Sequence, residues 1–161
     1  MKTLITALLC IVCIPAFAAF PVLPVPAEAQ AAMLESDDPQ LAANKRVAYD
    51  LYRIVRAAQW DQMETVASTD FINHNPNEES GFDGMIAFLA RTGRPAQPLP
   101  DTLDGLVTIF AEGDMVILAF AREYDHPTRP GETYTSTWFD MFRVEDGLVV
   151  EHWDPATIRA E

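Results

Sequence analysis

The spacing of apolar residues changes character once along this chain. From Gln40 to Ala58, Leu41, Val47, Ala48, Leu51, Tyr52, Ile54 and Val55 recur near helical spacing, with Lys45, Arg46, Arg53 and Arg56 turned outward. That pattern predicts an amphipathic helix, with Ser36 or Asp38 ahead of Pro39 as its start signal. Trp60–Ala67 predicts a second, shorter helix, and Phe82–Arg91 a third that packs Phe82, Met85, Ile86 and Leu89. Between them, residues 70–77 read as a short extended piece ending in a turn cluster. Beyond the Pro-rich stretch 93–100 the chain turns to β-branched and aromatic runs. These predict strands at Leu103–Ala111, Met115–Tyr124, Thr133–Val144 and Leu148–Asp154. Helices first and antiparallel strands afterwards is the α+β pattern, with helices covering one face of a curved sheet.

The last two strands carry the chemistry. Joined through Glu145-Asp146-Gly147 as a turn with a glycine bulge, they place Val144 opposite Leu148, Asp140 opposite His152 and Trp138 opposite Asp154. Trp138, Asp140, Phe142, His152 and Asp154 then share one face, because side chains alternate along a strand. A two-residue Asp146-Gly147 turn is the competing register, and it puts Asp140 on the opposite face from Asp154.

Composition changes the picture at the N-terminus and at the surface. Lys2 followed by the apolar run Leu4–Phe17, with A-x-A sites at Ala16-Phe17-Ala18, Ala27-Glu28-Ala29 and Ala29-Gln30-Ala31, reads as a cleaved signal peptide over residues 1–31, with an uncleaved anchor as the alternative. Residues 32–39 follow as a flexible lead-in, and residues 40–161 as one domain. The expected destination is secreted or periplasmic, with no membrane attachment after cleavage. Both cysteines, Cys10 and Cys13, fall in the leader, so the mature chain has neither a disulfide nor a thiol nucleophile. Among 161 residues, 24 acids outnumber 11 Lys plus Arg, for a formal charge of −13, which repels a phosphate backbone and excludes nucleic-acid binding.

Four stretches bring a family resemblance. Asn44-Lys45, Phe71-Ile72-Asn73-His74-Asn75-Pro76, Phe110–Asp114 and above all Phe139–Asp154 resemble the SnoaL-like, polyketide-cyclase-like branch of the nuclear transport factor two-like superfamily, over roughly residues 40–158. The resemblance implies a cone-shaped α+β barrel, a curved mostly antiparallel sheet with three N-terminal helices enclosing a ligand cavity. It also implies acid/base catalysis from the position of Asp154, with no metal or cofactor. Fold alone does not assign the reaction.

An aldol closure needs a base beside an acidic carbon and a donor for the carbonyl oxygen. One carboxylate does both in turn if burial lifts its pKa. Asp154 is the expected catalyst; its competing reading is a cap on Ala156-Thr157-Ile158. His74 is the expected assisting donor, or a histidine bonded to nearby backbone. Asp140 and His152 pair to orient the ring, and with Trp138, Phe142 and Phe71 they form the expected substrate wall. Tyr49, Tyr52 and Trp60 read as core. No HxH or HExxH spacing supports a metal, and no G-x-S-x-G elbow supports a serine hydrolase. The expected function is an acid/base enzyme of cyclase or isomerase type on a small hydrophobic carbonyl compound. The alternative is a non-catalytic periplasmic binding module with the same cavity. Phe139, Met141, Val149 and Trp153 are expected to form an outer apolar patch that supports a homodimer.

Overall fold

The computed structural model describes residues 21–158, and the elements run α1 (Ala27–Met33), α2 (Pro39–Ala57), a 3-10 turn (Trp60–Thr65), β1 (Ala67–Asn73), α3 (Phe82–Ala90), β2 (Leu106–Glu112), β3 (Met115–Asp125), β4 (Thr133–Glu145) and β5 (Leu148–Trp153). Asp38 accepts the Gln40 N–H at 2.8 Å and Pro39 takes the first helical position, which fixes where α2 begins. Ala58 ends it in the left-handed region at φ 53°. The inward stripe of α2 is buried, including Ala48, Leu51 and Ile54. Each such Leu or Ile contributes about 1.5–3 kcal/mol relative to exposure.

The five strands form one sheet in the order β1-β5-β4-β3-β2, with β1 parallel to β5 and every other pair antiparallel. This is the α+β cone expected from the sequence. Its inner face presents Leu106, Ile109, Val116, Leu118, Phe120 and Phe142 to the helices. Among the described residues, no helix is long and apolar enough to cross a membrane.

Three local expectations need correction. The fold begins well before residue 40. Val25 N–H donates to the Leu106 carbonyl at 2.7 Å, and α1 buries Gln30 at 3% exposure. The Gln30 amide donates to the Leu103 carbonyl at 2.9 Å and accepts from the Leu103 N–H at 2.9 Å and the Tyr49 hydroxyl at 2.7 Å. A polar side chain, not an apolar stripe, ties this segment down, so hydrophobic spacing does not reveal it. Residues 1–20 of the expected leader lie outside the described residues.

The β4–β5 hairpin takes the competing turn. Glu145 pairs with Leu148 and Val144 with Val149, around Asp146 (φ 50°) and Gly147 (φ 79°), the two left-handed residues that a tight turn of this twist requires. A bulge then falls between Val149 and Glu151, so that Phe142 pairs with His152 and Met141 with Trp153. The bulge restores the parity that the shorter turn would have reversed. Asp140, Phe142 and His152 therefore share the inner face, although Asp140 is not the residue opposite His152. The same register turns Val149 inward, fully buried, and removes it from the outer patch.

Candidate active site

Between α2, α3 and the inner face of the sheet lies a cavity of about 570 Å³, within the range of small-molecule sites. Its apolar wall includes Leu51, Val55, Phe71, Met85, Phe88 and Phe142. Exposed Arg56, Arg94, Asp104 and Glu123 mark its mouth. Tyr52, Asn73, Glu78, Arg122 and His152 are the polar groups further in.

Those inner groups form a chain of hydrogen bonds. Tyr52, from α2, donates its hydroxyl to Asp140, from β4. Asp140 faces His152 Nε2 at 3.0 Å, and His152 Nδ1 faces the Asn73 side-chain oxygen at 3.1 Å. Asn73 donates its amide to Glu78 Oε2 at 2.6 Å. The Asn73 amide is oriented at both ends, since its oxygen also accepts the Asn75 N–H at 3.0 Å. His152 thus meets a side-chain oxygen at each ring nitrogen. Its ring stacks on Phe142 with centroids 4.9 Å apart and lies 6.5 Å from the near-parallel ring of Phe71. Contacts at both nitrogens and on its faces fix the orientation of the His152 ring.

Glu78 is the carboxylate that the cavity offers inside its mouth. Its loop follows β1, and Gly84 of α3 allows the loop to pack closely. A Cβ there would meet the Glu79 carbonyl oxygen at 2.5 Å. Burial pushes the Glu78 carboxyl above its ordinary range, and the nearby charge of Asp154 adds to this. The Asn73 bond, His152 and Arg91 work against it. Oε1 accepts no hydrogen bond from the described residues, so one oxygen is available to a ligand. Tyr52 has its hydroxyl raised well above the ordinary phenol value, first by burial and then by Asp140, so it stays a donor. Asp140 itself is buried at 4% exposure.

The expected site residues divide as follows. Phe71, Phe142 and His152 line the cavity, and Asp140 lies directly behind it. Trp138 does not line it. Its indole lies under Arg122, whose guanidinium carbon is 4.1 Å from the ring centroid, and its buried Nε1 has no hydrogen-bond partner among the described residues. His74 is exposed on the outer face, where Nε2 contacts Glu151 at 2.7 Å and the ring stacks on Trp153 at 4.8 Å. That pairing, followed by Arg143, holds the Glu151 carboxyl below its ordinary range. One residue of strand alternation separates Asn73 inside from His74 outside. Asp154 accepts the Asn75 amide at 2.7 Å and the Ala156 N–H at 2.9 Å, so it caps the chain's return rather than facing the cavity.

Asp140, His152 and Asp154 do bring ligand atoms within 4.8 Å of one another. In this arrangement their facing atoms are already engaged by Tyr52, Asn73, Asn75 and Ala156. Tyr52 is buried, as its core reading expects, but that reading does not foresee its hydroxyl's place in this chain, nor Glu78, hidden in a polar turn. No spacing rule marks either, because only the fold of the loop over β1 brings them together.

A sequence profile of the SnoaL-like domain matches residues 48–152. No curated protein matches the chain. Among solved structures it is similar to an LEH-like epoxide hydrolase of M. tuberculosis, at 14% identity and TM-score 0.51, covering 72% of this chain and 84% of that one. It is also similar to IdmH of Streptomyces antibioticus, a candidate polyketide cyclase, at 21% identity and TM-score 0.50, covering 69% and 89%. An NTF2-like protein of unknown function from Burkholderia pseudomallei aligns at 15% identity and TM-score 0.52, covering 71% and 91%. Likeness at these identities is a likeness of fold.

Proposed function

The chain belongs to the SnoaL-like family, and from that premise we propose that it is a cofactor-independent acid/base enzyme of cyclase or isomerase type acting on a hydrophobic carbonyl compound. The observation that carries this reading is Glu78, a carboxylate of raised pKa with one free oxygen inside a largely apolar cavity. Ionised Glu78 removes a proton from the carbon beside the substrate carbonyl, and the C–H pair becomes the enolate. In a ring closure the enolate carbon bonds to a second carbonyl carbon. That carbonyl's π pair moves to its oxygen, which takes the proton back from Glu78. In an isomerisation the proton returns to another carbon. Both sequences balance without an external acid, oxidant or metal. The chain from Tyr52 through Asp140, His152 and Asn73 holds the carboxylate in place. Screening hydrophobic ketones by thermal shift and then by turnover tests the reading, since a ligand that binds the folded state raises apparent stability with the logarithm of its concentration relative to Kd. Ketones that shift the melting midpoint and are converted support it. Ketones that bind and are never converted leave the non-catalytic binding module.

Export belongs to the same proposal. Gln30 anchors the folded N-terminus, so cleavage after Ala18 preserves the domain, whereas cleavage after Ala29 or Ala31 destroys α1. Intact mass of the exported protein is expected to start at Ala19; a start at Gln30 or Ala32 contradicts this.

We also propose a homodimer through the outer sheet face. Across neighbouring strands, Phe110 pairs with Ile117, Ile117 with Met141, and Met141 with Trp153. Phe110 and Phe139 are each 51% exposed on that face. Light scattering at micromolar concentration is expected to give a dimer, and Phe139→Glu a monomer. A monomeric wild type contradicts it.

A further inference from the structure

The distribution of arginines around the cavity extends the proposed function, on which this inference rests, to the chemistry of the substrate. Of the described arginines, Arg46, Arg53, Arg129 and Arg143 form ion pairs with carboxylates. The remaining ones are Arg56, Arg91, Arg94 and Arg122, and all gather at one place. Arg56, Arg94 and Arg122 line the cavity, and Arg91 lies over the ring of Phe88 in its wall. In a chain where acids exceed bases by 24 to 11, guanidinium groups without a carboxylate partner would not collect at one cavity by abundance of charge alone.

Arg56 and Arg122 are the pair best placed to act together. Arg56, from α2, has its guanidinium carbon 5.7 Å from the Phe120 ring centroid. Arg122, from β3, stacks over Trp138, and Trp138 is the residue paired with Phe120 across β3 and β4. Phe120 in turn packs 4.5 Å from Tyr52. The two guanidiniums therefore share an aromatic floor beside the hydrogen-bonded chain that ends at Glu78. Neither has a hydrogen-bond acceptor among the described residues. Arg94, by contrast, already donates to the Val55 carbonyl at 2.8 Å. Asp104 and Glu123 stand at the same mouth without reaching ion-pair distance, and they oppose any anion that is not held directly by the arginines.

We infer that the substrate is an apolar carbonyl compound carrying an ionised carboxylate, which Arg56 at the mouth and Arg122 just inside it grip while the apolar body extends toward Glu78. Planar guanidinium groups match a carboxylate through paired N–H donors, and stacking on aromatic rings fixes their orientation. A neutral polyketone would leave both groups without a partner. The carboxylate also sets the direction of entry, charged end outward and reacting carbonyl inward.

The test compares acids with their esters on the mature protein. Benzoylpropionate and benzoylbutyrate are titrated calorimetrically, each against its methyl ester. The acids are expected to bind about tenfold more tightly or better, the worth of one charge-assisted contact, with the advantage shrinking as salt rises. Arg56→Gln with Arg122→Gln is expected to erase the preference. Arg122→Lys, which keeps a positive charge if stacking on Trp138 matters for folding, retains part of it. Glu78→Gln keeps the preference while losing turnover, so failure of the catalytic reading and failure of this one are separable. Equal affinity for acid and ester, no binding of either, or a preference that survives the double Gln variant overturns the inference.

Discussion

Glu78→Gln is expected to lower kcat/KM by about 10²–10⁴-fold, the usual worth of a positioned general base, while leaving the fold intact. Glutamine keeps the shape and still accepts the Asn73 amide, which donates to Glu78 Oε2 at 2.6 Å in the wild type. It cannot take a proton from carbon. The pH dependence follows from the raised Glu78 pKa. Only the ionised carboxylate is a base, so wild-type activity rises with pH through a value above the ordinary glutamate range. Stability runs the other way. Where the folded pKa exceeds the unfolded one, the folded state holds the proton longer, and stability falls as pH rises between the two. Glu78→Gln removes that loss, so at neutral pH its melting midpoint is expected to equal or exceed that of the wild type. At pH below the ordinary glutamate range the gap closes. A variant that keeps wild-type turnover contradicts the assignment.

Asp140→Ala is expected to have the largest effect on stability, about 3–5 kcal/mol in urea unfolding, the cost of removing one partner from a buried charged network. Asp140 is the acceptor for both the Tyr52 hydroxyl and His152 Nε2. Without it, a buried phenol and a buried ring N–H have no partner, and water does not replace a carboxylate in a site lined by Phe142 and Phe71. Asp140→Asn keeps an acceptor and is expected to lose less. A loss below about 1 kcal/mol for the alanine variant, the scale of an ordinary surface change, would show that the network is slack.

The inner face of the last hairpin was legible because strand alternation is strict: Asp140, Phe142 and His152 had to share a face once the parity was right. Which turn produced that parity was not legible. The two-residue Asp146-Gly147 turn and the later bulge cancel in effect, so opposite local geometries predict the same face. The long helix was legible from its stripe and from Asp38-Pro39. By contrast, α1 carries no stripe and is held by Gln30 through polar bonds, which leave no periodic mark.

The proposed base, Glu78, is not the carboxylate that the sequence suggests, and the reason is physical. Asp154 sits in a chemically suggestive sequence, Glu151-His152-Trp153-Asp154-Pro155, but its two oxygens are engaged by Asn75 and Ala156. His74 falls on the outer side of the same strand end whose inner side carries Asn73, so a shift of one residue sends it to Glu151 and Trp153. Glu78 lies in an Asn-Pro-Asn-Glu-Glu turn that reads as solvated surface. Its burial depends on α3 packing back over the loop, a contact that no local pattern encodes.

The most direct measurement is exchange of the proton beside the carbonyl of a bound ketone, followed by NMR in heavy water. It reports proton abstraction whether or not the natural product is known. Wild type, His74→Ala and Asp154→Asn are expected to catalyse the exchange, and Glu78→Gln is expected to leave it at the uncatalysed rate. Exchange that persists in Glu78→Gln, or that disappears in His74→Ala while Glu78 is intact, would contradict the account.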